Sequence, residues 1–177
     1  MNCQLRPGSR VITNVSLDFA RVVAANQSMV YSLALRFVRD RAAAEELAQD
    51  VFLQCYRRFD RIESEAHATW WLRRAICHRS IDETRKRKLR PKVDLDDMPE
   101  LAQKGESPDV FLNERLRRMV SALPEKARMV VLLRYQEDLD PSDIAAMLQL
   151  PVSSVKSTLH RALTVLRSKF QKQEVCG

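Results

Sequence analysis

Ser153, Lys156, Ser157, His160 and Thr164 recur at the spacing that puts them on one side of a helix, with Arg161 at the edge. All are short or basic groups able to reach phosphates and base edges, the make-up of a helix that reads duplex DNA in the major groove. The other reading is an ordinary amphipathic helix with a solvated basic face. A second set, Trp70, Arg74, Cys77, His78, Ile81 and Arg85, forms a stripe in which an aromatic ring is followed by cations. Such a track suits single-stranded nucleic acid, whose bases stack on aromatic or guanidinium planes while cations follow the backbone. Trp70 as a second core tryptophan with merely solvated arginines is the competing reading. In a third set, Glu46, Gln49, Asp50, Leu53 and Arg57 fall within about 60° of one helical direction, giving a ridge with an acidic N-terminal half and an apolar residue among charges. That pattern fits a protein-binding face, and equally a plain solvated surface.

Each set needs an element to hold it. For the first, Asp140 is placed to accept from the free amides of a helix starting at Pro141, with Asp143 adding negative charge in its first turn. That helix turns Ile144, Ala145 and Leu148 inward and stops at Gln149-Leu150-Pro151. A second helix follows, with Val155, Leu159, Ala162, Leu163 and Leu166 on its inner side. The pair predicts a helix-turn-helix. The acidic ridge lies on a helix expected from about 41 to 58, capped by Asp40, whose core side carries Leu47, Ala48, Val51, Phe52, Cys55 and Phe59. The aromatic track lies on a helix expected over about 66–88, with Trp71, Leu72, Ala75 and Ile76 as its core face; eight Arg or Lys face two acids between 73 and 90.

The whole composition agrees with a polyanionic partner. The formal net charge is +7 and the pI near 9.5, and neutralising phosphates releases condensed counterions. No apolar run approaches the roughly 20 residues needed to span a bilayer, and the first fifteen residues lack a signal-peptide core. A cytoplasmic protein without membrane insertion is expected. The four cysteines, at 3, 55, 77 and 176, show neither CxxC spacing nor a histidine pair in zinc-finger register, which predicts no metal and no cofactor. Cys55 reads as a small buried thiol rather than a redox sensor. With only three glycines and no sustained alternation of apolar and polar residues, the chain reads as all-α. Between 93 and 109 stand six acids, one lysine, Pro99, Gly105 and Pro108, too polar to bury much. The expected organisation is a flexible N-terminus (1–13), a helical unit (14–92), a linker (93–106), a second helical unit (107–172) opened by a Ser107 cap, and a tail (173–177).

A duplex-reading module joined by an acidic linker to a single-strand-binding module suits a protein that finds a promoter and opens it. From about Asp18 to Phe170 the chain resembles the extracytoplasmic-function sigma factors, RNA polymerase specificity subunits that keep only regions 2 and 4 of the larger sigmas. The matching strings are Ala44-Glu-Glu-Leu-Ala-Gln-Asp-Val-Phe-Leu53; Trp71-Leu72 with Arg74 and Ile81-Asp82; Leu123-Pro124-Glu125 before Leu132-Leu133-Arg134-Tyr135; and Pro151-Val152 with Val155-Lys156-Ser157 and Leu159-His160-Arg161-Ala162. The resemblance implies that Glu46, Gln49 and Asp50 meet the clamp helices of the largest subunit of core RNA polymerase. It implies that the loop from Arg61 to His67, with Trp70, Arg74, His78 and Arg85, lies near the melted minus-10 strand. Ser153, Ser154, Lys156, Ser157, His160 and Arg161 would meet the minus-35 duplex. Region 4 would also touch the flap of the second-largest subunit, and an anti-sigma factor is an implied partner. The chain departs from the family pattern at Gln149 and Asp138, which stand for turn glycines, and at Thr158, which replaces a frequent arginine.

Two other functions compete. One is a classical helix-turn-helix repressor or activator whose N-terminal unit dimerises or binds an effector. The other, a DNA-processing enzyme, finds no support: His67, His78 and His160 have no partnering nucleophile or carboxylate cluster, and no glycine-rich phosphate loop occurs.

Overall fold

The computed structural model describes residues 17–89 and 108–174. Among these residues are seven α-helices and no strand: α1 (Phe19–Val38), α2 (Arg41–Tyr56), α3 (Glu65–Leu89), α4 (Pro108–Ser121), α5 (Glu125–Tyr135), α6 (Pro141–Leu148) and α7 (Val152–Glu174). A 3-10 turn at Phe59–Arg61 links α2 to α3. The chain is therefore all-α, as its composition predicts. The expected N-terminal segment, the linker and the Ser107 cap lie outside the described residues, as do Cys3 and Cys176; α7 extends past 172.

Local chemistry sets the helix ends. Asp18 accepts from the Ala20 amide at 3.1 Å to start α1. The inner side of α1 buries Val22, Val30, Leu33, Ala34 and Phe37, together with Asn26, whose amide donates to the Val22 carbonyl at 2.8 Å. The turn into α2 passes through Arg39 at φ 59°. Asp40 Oδ1 accepts from the Ala43 amide at 3.0 Å while Oδ2 receives Arg87 of α3 at 2.8 Å. One carboxylate thus caps α2 and pins it to the end of α3, and those two bonds, the amide first, hold its carboxyl below the ordinary value. α2 ends at Tyr56, two residues short of the expected limit, and Phe19 stacks edge-on against both Tyr56 and Phe59.

Helices α1, α2 and α3 pack as one group, and α4 to α7 as another, with α5 and α6 against α7. The two groups are in contact: α5 and α6 rest on α3, α5 also touches α1, and one buried apolar cluster runs from Val22 through Leu72 and Ile76 to Leu133, Ile144 and Val155. Arg128 of α5 fastens the junction. Its guanidinium donates to the Phe37 carbonyl at the end of α1 (2.8 Å), to the Ser121 and Leu123 carbonyls, and lies over the Phe37 ring. Burial lowers the pKa of this guanidinium.

Candidate nucleic-acid interface

The helix-turn-helix is formed by α6 and α7. α6 starts at Pro141, but the expected cap is not made. Asp140 turns its Oδ1 to Arg134 Nη1 at 3.2 Å, leaving only its backbone carbonyl to receive the Ile144 amide. Arg134 also donates to the Leu139 carbonyl at 3.0 Å, so the loop is held by an arginine from α5 that outcompetes the cap. Asp138 and Gln149 both take positive φ, 51° and 55°, at the two positions flagged by the family's glycines. The Leu150 amide then donates to the Ala145 carbonyl at 2.9 Å, closing α6 as the chain turns into α7.

On α7, Val155 and Ala162 are buried and Leu159, Leu163 and Leu166 partly so. Ser153, Lys156, Ser157, His160, Arg161 and Thr164 are exposed, and Ser154 is half-buried at their margin. The Ser157 and Thr164 hydroxyls donate to the carbonyls of Ser154 and His160. The face thereby offers two cations and an imidazole among small residues, a surface that a major groove admits without steric conflict.

The ridge of α2 is uncovered. Glu46, Gln49, Asp50, Leu53 and Arg57 are all exposed, Leu53 at 54%, and none of the charged three forms an ion pair among the described residues. An exposed large apolar side chain between Asp50 and Arg57, with Glu46 one turn further back, leaves a surface suited to a protein partner.

The stripe of α3 needs correction. It is not one open track: Cys77 and Ile81 are buried, His78 is half-buried with Nε2 3.1 Å from the Met147 carbonyl, and Arg85 lies 3.8 Å from Glu125 of α5. Its two ends stand open: at the N-terminal end Trp70 is 36% exposed with the Arg74 guanidinium over its ring at 5.3 Å, and at the C-terminal end Arg85 is exposed beside Glu125. Trp71 packs partly buried on the core face with Leu72 and Ile76. In the preceding loop Arg61 is exposed, and His67 is engaged locally. Its Nδ1 accepts from the Glu63 amide at 3.3 Å and its own amide donates to Ser64 Oγ. His67 shapes the loop that leads into α3. Cys55 is buried as expected, and burial raises its pKa. Burial, with the Glu137 carboxylate nearby, pushes the Cys77 thiol up to about 12, which leaves it protonated and a poor nucleophile.

Sequence reasoning missed Arg73, Glu125, Arg128 and Glu137. Arg73 Nε meets Glu137 Oε2 at 3.0 Å, their side chains 19% and 9% exposed. Such a partly buried pair between residues 64 apart leaves no trace in helical periodicity.

Comparison with known proteins follows the same division of the chain. The family profile Sigma-70 region 2 matches residues 22–90, and Sigma-70, region 4 matches residues 113–166. The RNA polymerase sigma-E factor of Streptomyces coelicolor is 31% identical over 159 residues, spanning 90% of this chain and 89% of that protein. The ECF RNA polymerase sigma factor SigW of Bacillus subtilis is 26% identical over 166 residues, with 86% and 89% spanned. Among solved structures, the sigma factor RpoE in complex with the anti-sigma factor NepR from Bartonella quintana has the same fold, with a TM-score of 0.68 at 18% identity over 87% of this chain and 97% of that one. CnrH in complex with the cytosolic domain of CnrY reaches 0.64 at 19% identity over 87% of this chain and 88% of that one. An all-α chain with these two regions in this order is a two-region sigma factor. The chain belongs to the extracytoplasmic-function family of RNA polymerase sigma factors.

Proposed function

We propose that this sigma factor docks on core RNA polymerase through Glu46, Gln49, Asp50, Leu53 and Arg57, which meet the clamp helices of the largest subunit. Arg61, His67, Trp70, Arg74, His78 and Arg85 serve the melted minus-10 strand. Ser153, Ser154, Lys156, Ser157, His160 and Arg161 read the minus-35 duplex, while region 4 touches the flap of the second-largest subunit. The units are 14–92 and 107–172, joined by the linker at 93–106. The observation that carries the reading is the α2 ridge: exposed, acidic in its N-terminal half, without ion pairs among the described residues, and on the opposite side of the helix from Leu47, Val51 and Cys55. No helix among the described residues is long and apolar enough to cross a membrane, and the protein acts in the cytoplasm beside its polymerase. An anti-sigma factor is a further partner, supported by the family and by a relative in fold, RpoE from Bartonella quintana, that was solved in complex with one. A repressor or activator whose N-terminal unit dimerises or binds an effector is not favoured, because residues 22–90 of that unit match sigma region 2.

Asp50→Lys tests the docking face. A like charge at a docking surface costs several kcal/mol, whereas an exposed substitution shifts stability by less than about 0.5 kcal/mol. Pull-down with core enzyme and a thermal melt are expected to show lost association in a folded protein, with run-off transcription lost in parallel. Normal association by the folded variant removes the clamp assignment.

A further inference from the structure

The loop that joins the 3-10 turn to α3 is anchored at two points. At the first, Ile62 is buried in the core and its amide donates to the Phe59 carbonyl at 3.1 Å. Glu63 and Ser64 then stand exposed, and every hydrogen bond they make among the described residues runs into the first turn of α3. The Ser64 carbonyl receives the Ala68 amide at 2.9 Å, Ser64 Oγ receives the His67 amide at 3.1 Å, and the Glu63 amide donates to His67 Nδ1 at 3.3 Å. Ser64 is thus the cap of α3 and His67 the third residue inside it. The two satisfy the backbone reciprocally, with an imidazole where glutamate or glutamine is usual and one amide further back than usual. Because Nδ1 accepts, the neutral ring carries its proton on Nε2. The neighbouring Arg21–Glu65 pair spans 3.1 Å with both side chains more than half exposed, and a pair so solvated holds little.

We infer that His67 is a positioning residue for minus-10 recognition, one that fixes the loop through the acceptor at Nδ1 and does not stack its ring on the DNA. The inference rests on the assignment of the loop from Arg61 to His67 to the minus-10 strand, and it separates the residue that holds the loop from those that meet the strand. At 100° per residue, His67 points within about 20° of Arg74 and about 60° of Trp70. Its bond to Glu63 therefore ties the loop to the open N-terminal end of the α3 stripe. Arg61 and Glu63, the exposed charged residues on either side of Ile62, are the groups whose place this bond sets. Discrimination between bases needs such groups held still, because a loop free to shift can settle against a wrong base as well as a right one. With Ile62 anchoring one end only, loss of the acceptor frees the segment between Ile62 and α3 while leaving the core intact.

Two full-length variants separate acceptor from ring. His67→Gln keeps an acceptor of the kind usual at this position and has no ring, whereas His67→Phe keeps a ring that can stack on a base and has no acceptor. Wild-type holoenzyme first selects its preferred sequence from fork templates randomised in the single-stranded minus-10 segment. Binding to that template and to templates with one base changed then gives a discrimination ratio. His67→Phe is expected to lower the ratio about fivefold, the factor that one hydrogen bond of ordinary worth supplies, with core association and melting temperature close to wild type. His67→Gln is expected to restore it. Ser64→Ala should match His67→Phe, and the double variant should be no worse than either, since the two residues act as one unit. The reverse order, Phe keeping discrimination and Gln losing it, shows the ring on a base and overturns the proposal while leaving the minus-10 assignment in place. Equal losses in both variants tie the effect to something other than the acceptor and overturn it as well. No change in either overturns positioning, and the minus-10 assignment falls with it only if Trp70→Ala also leaves binding to the fork template unchanged. Should His67→Phe fail to fold, Ser64→Ala against Ser64→Thr decides: loss of discrimination in the alanine variant alone is expected, and an alanine variant that discriminates like wild type overturns the proposal.

Discussion

Asp40 does two jobs with one carboxylate, capping α2 through the Ala43 amide and holding Arg87. Its folded-state pKa lies below the ordinary 3.8, chiefly through the amide and then through Arg87. The stabilisation it supplies is thus complete above that ordinary value and lost as the pH falls below it. Asp40→Ala is expected to cost about 1 kcal/mol, the usual worth of a cap, in urea denaturation at neutral pH, and the difference from wild type should shrink in acid. A constant difference across that range would mean that the carboxylate's charge has no part in it. Gln149 illustrates a different residue-level cost. It holds φ 55° in the turn between α6 and α7, where a side chain opposes the left-handed conformation. Gln149→Gly is expected to raise stability by about 0.5–1 kcal/mol, the left-handed cost less the extra chain entropy of glycine. A destabilised variant would show that the Gln149 side chain contributes more than the turn costs.

At the scale of the element, α7 separates positioning from reading. Lys156 sits mid-face with Ser153, Ser157 and His160, whereas Arg161 lies at the edge, where the groove wall and its phosphates are nearer. Arg161→Ala is expected to weaken all promoters almost equally and to lower the salt dependence by about one phosphate contact. Lys156→Ala is expected to cost about 1–3 kcal/mol mainly on promoters with the preferred minus-35 base. Holoenzyme binding to a promoter library randomised at that site, over a salt series, measures both. Exchange of the two behaviours would mean that the helix is rolled relative to this face.

In the molecule as a whole, Arg128 is the fastening between the units, and its partners are carbonyls rather than acids. Arg128→Ala leaves the Phe37, Ser121 and Leu123 carbonyls short of a donor in a partly buried junction, at an expected cost of about 2–3 kcal/mol. Arg128→Lys should recover little of it, because an ammonium cannot fork across separated acceptors as a guanidinium does. Urea denaturation of the full chain reads both. A loss under about 0.5 kcal/mol in either variant would mean that the junction does not depend on this residue.

Much of this was legible in the residues, for a local reason. Asp40 before a 3.6-residue pattern announces α2, Pro141 and Pro151 bracket the first helix of the helix-turn-helix, and the outward sets of α2 and α7 follow from helical angle alone, since caps, prolines and periodicity act within a few residues. Helix α1 has the same periodicity, Val22 to Phe37, and was read only as part of the unit 14–92. Where the structure differs from this reading, a partner from another helix intervenes. Arg134 drew Asp140 away from its cap, and α5 and α6 covered the stripe that the wheel of α3 left facing outward. By itself the sequence determined the helices, their inner and outer sides, and the family they spell. Only the tertiary structure decided that the outer side of α3 is met by Glu125, Glu137 and Met147, because contacts between residues tens of positions apart depend on how whole helices dock, and no local periodicity records that.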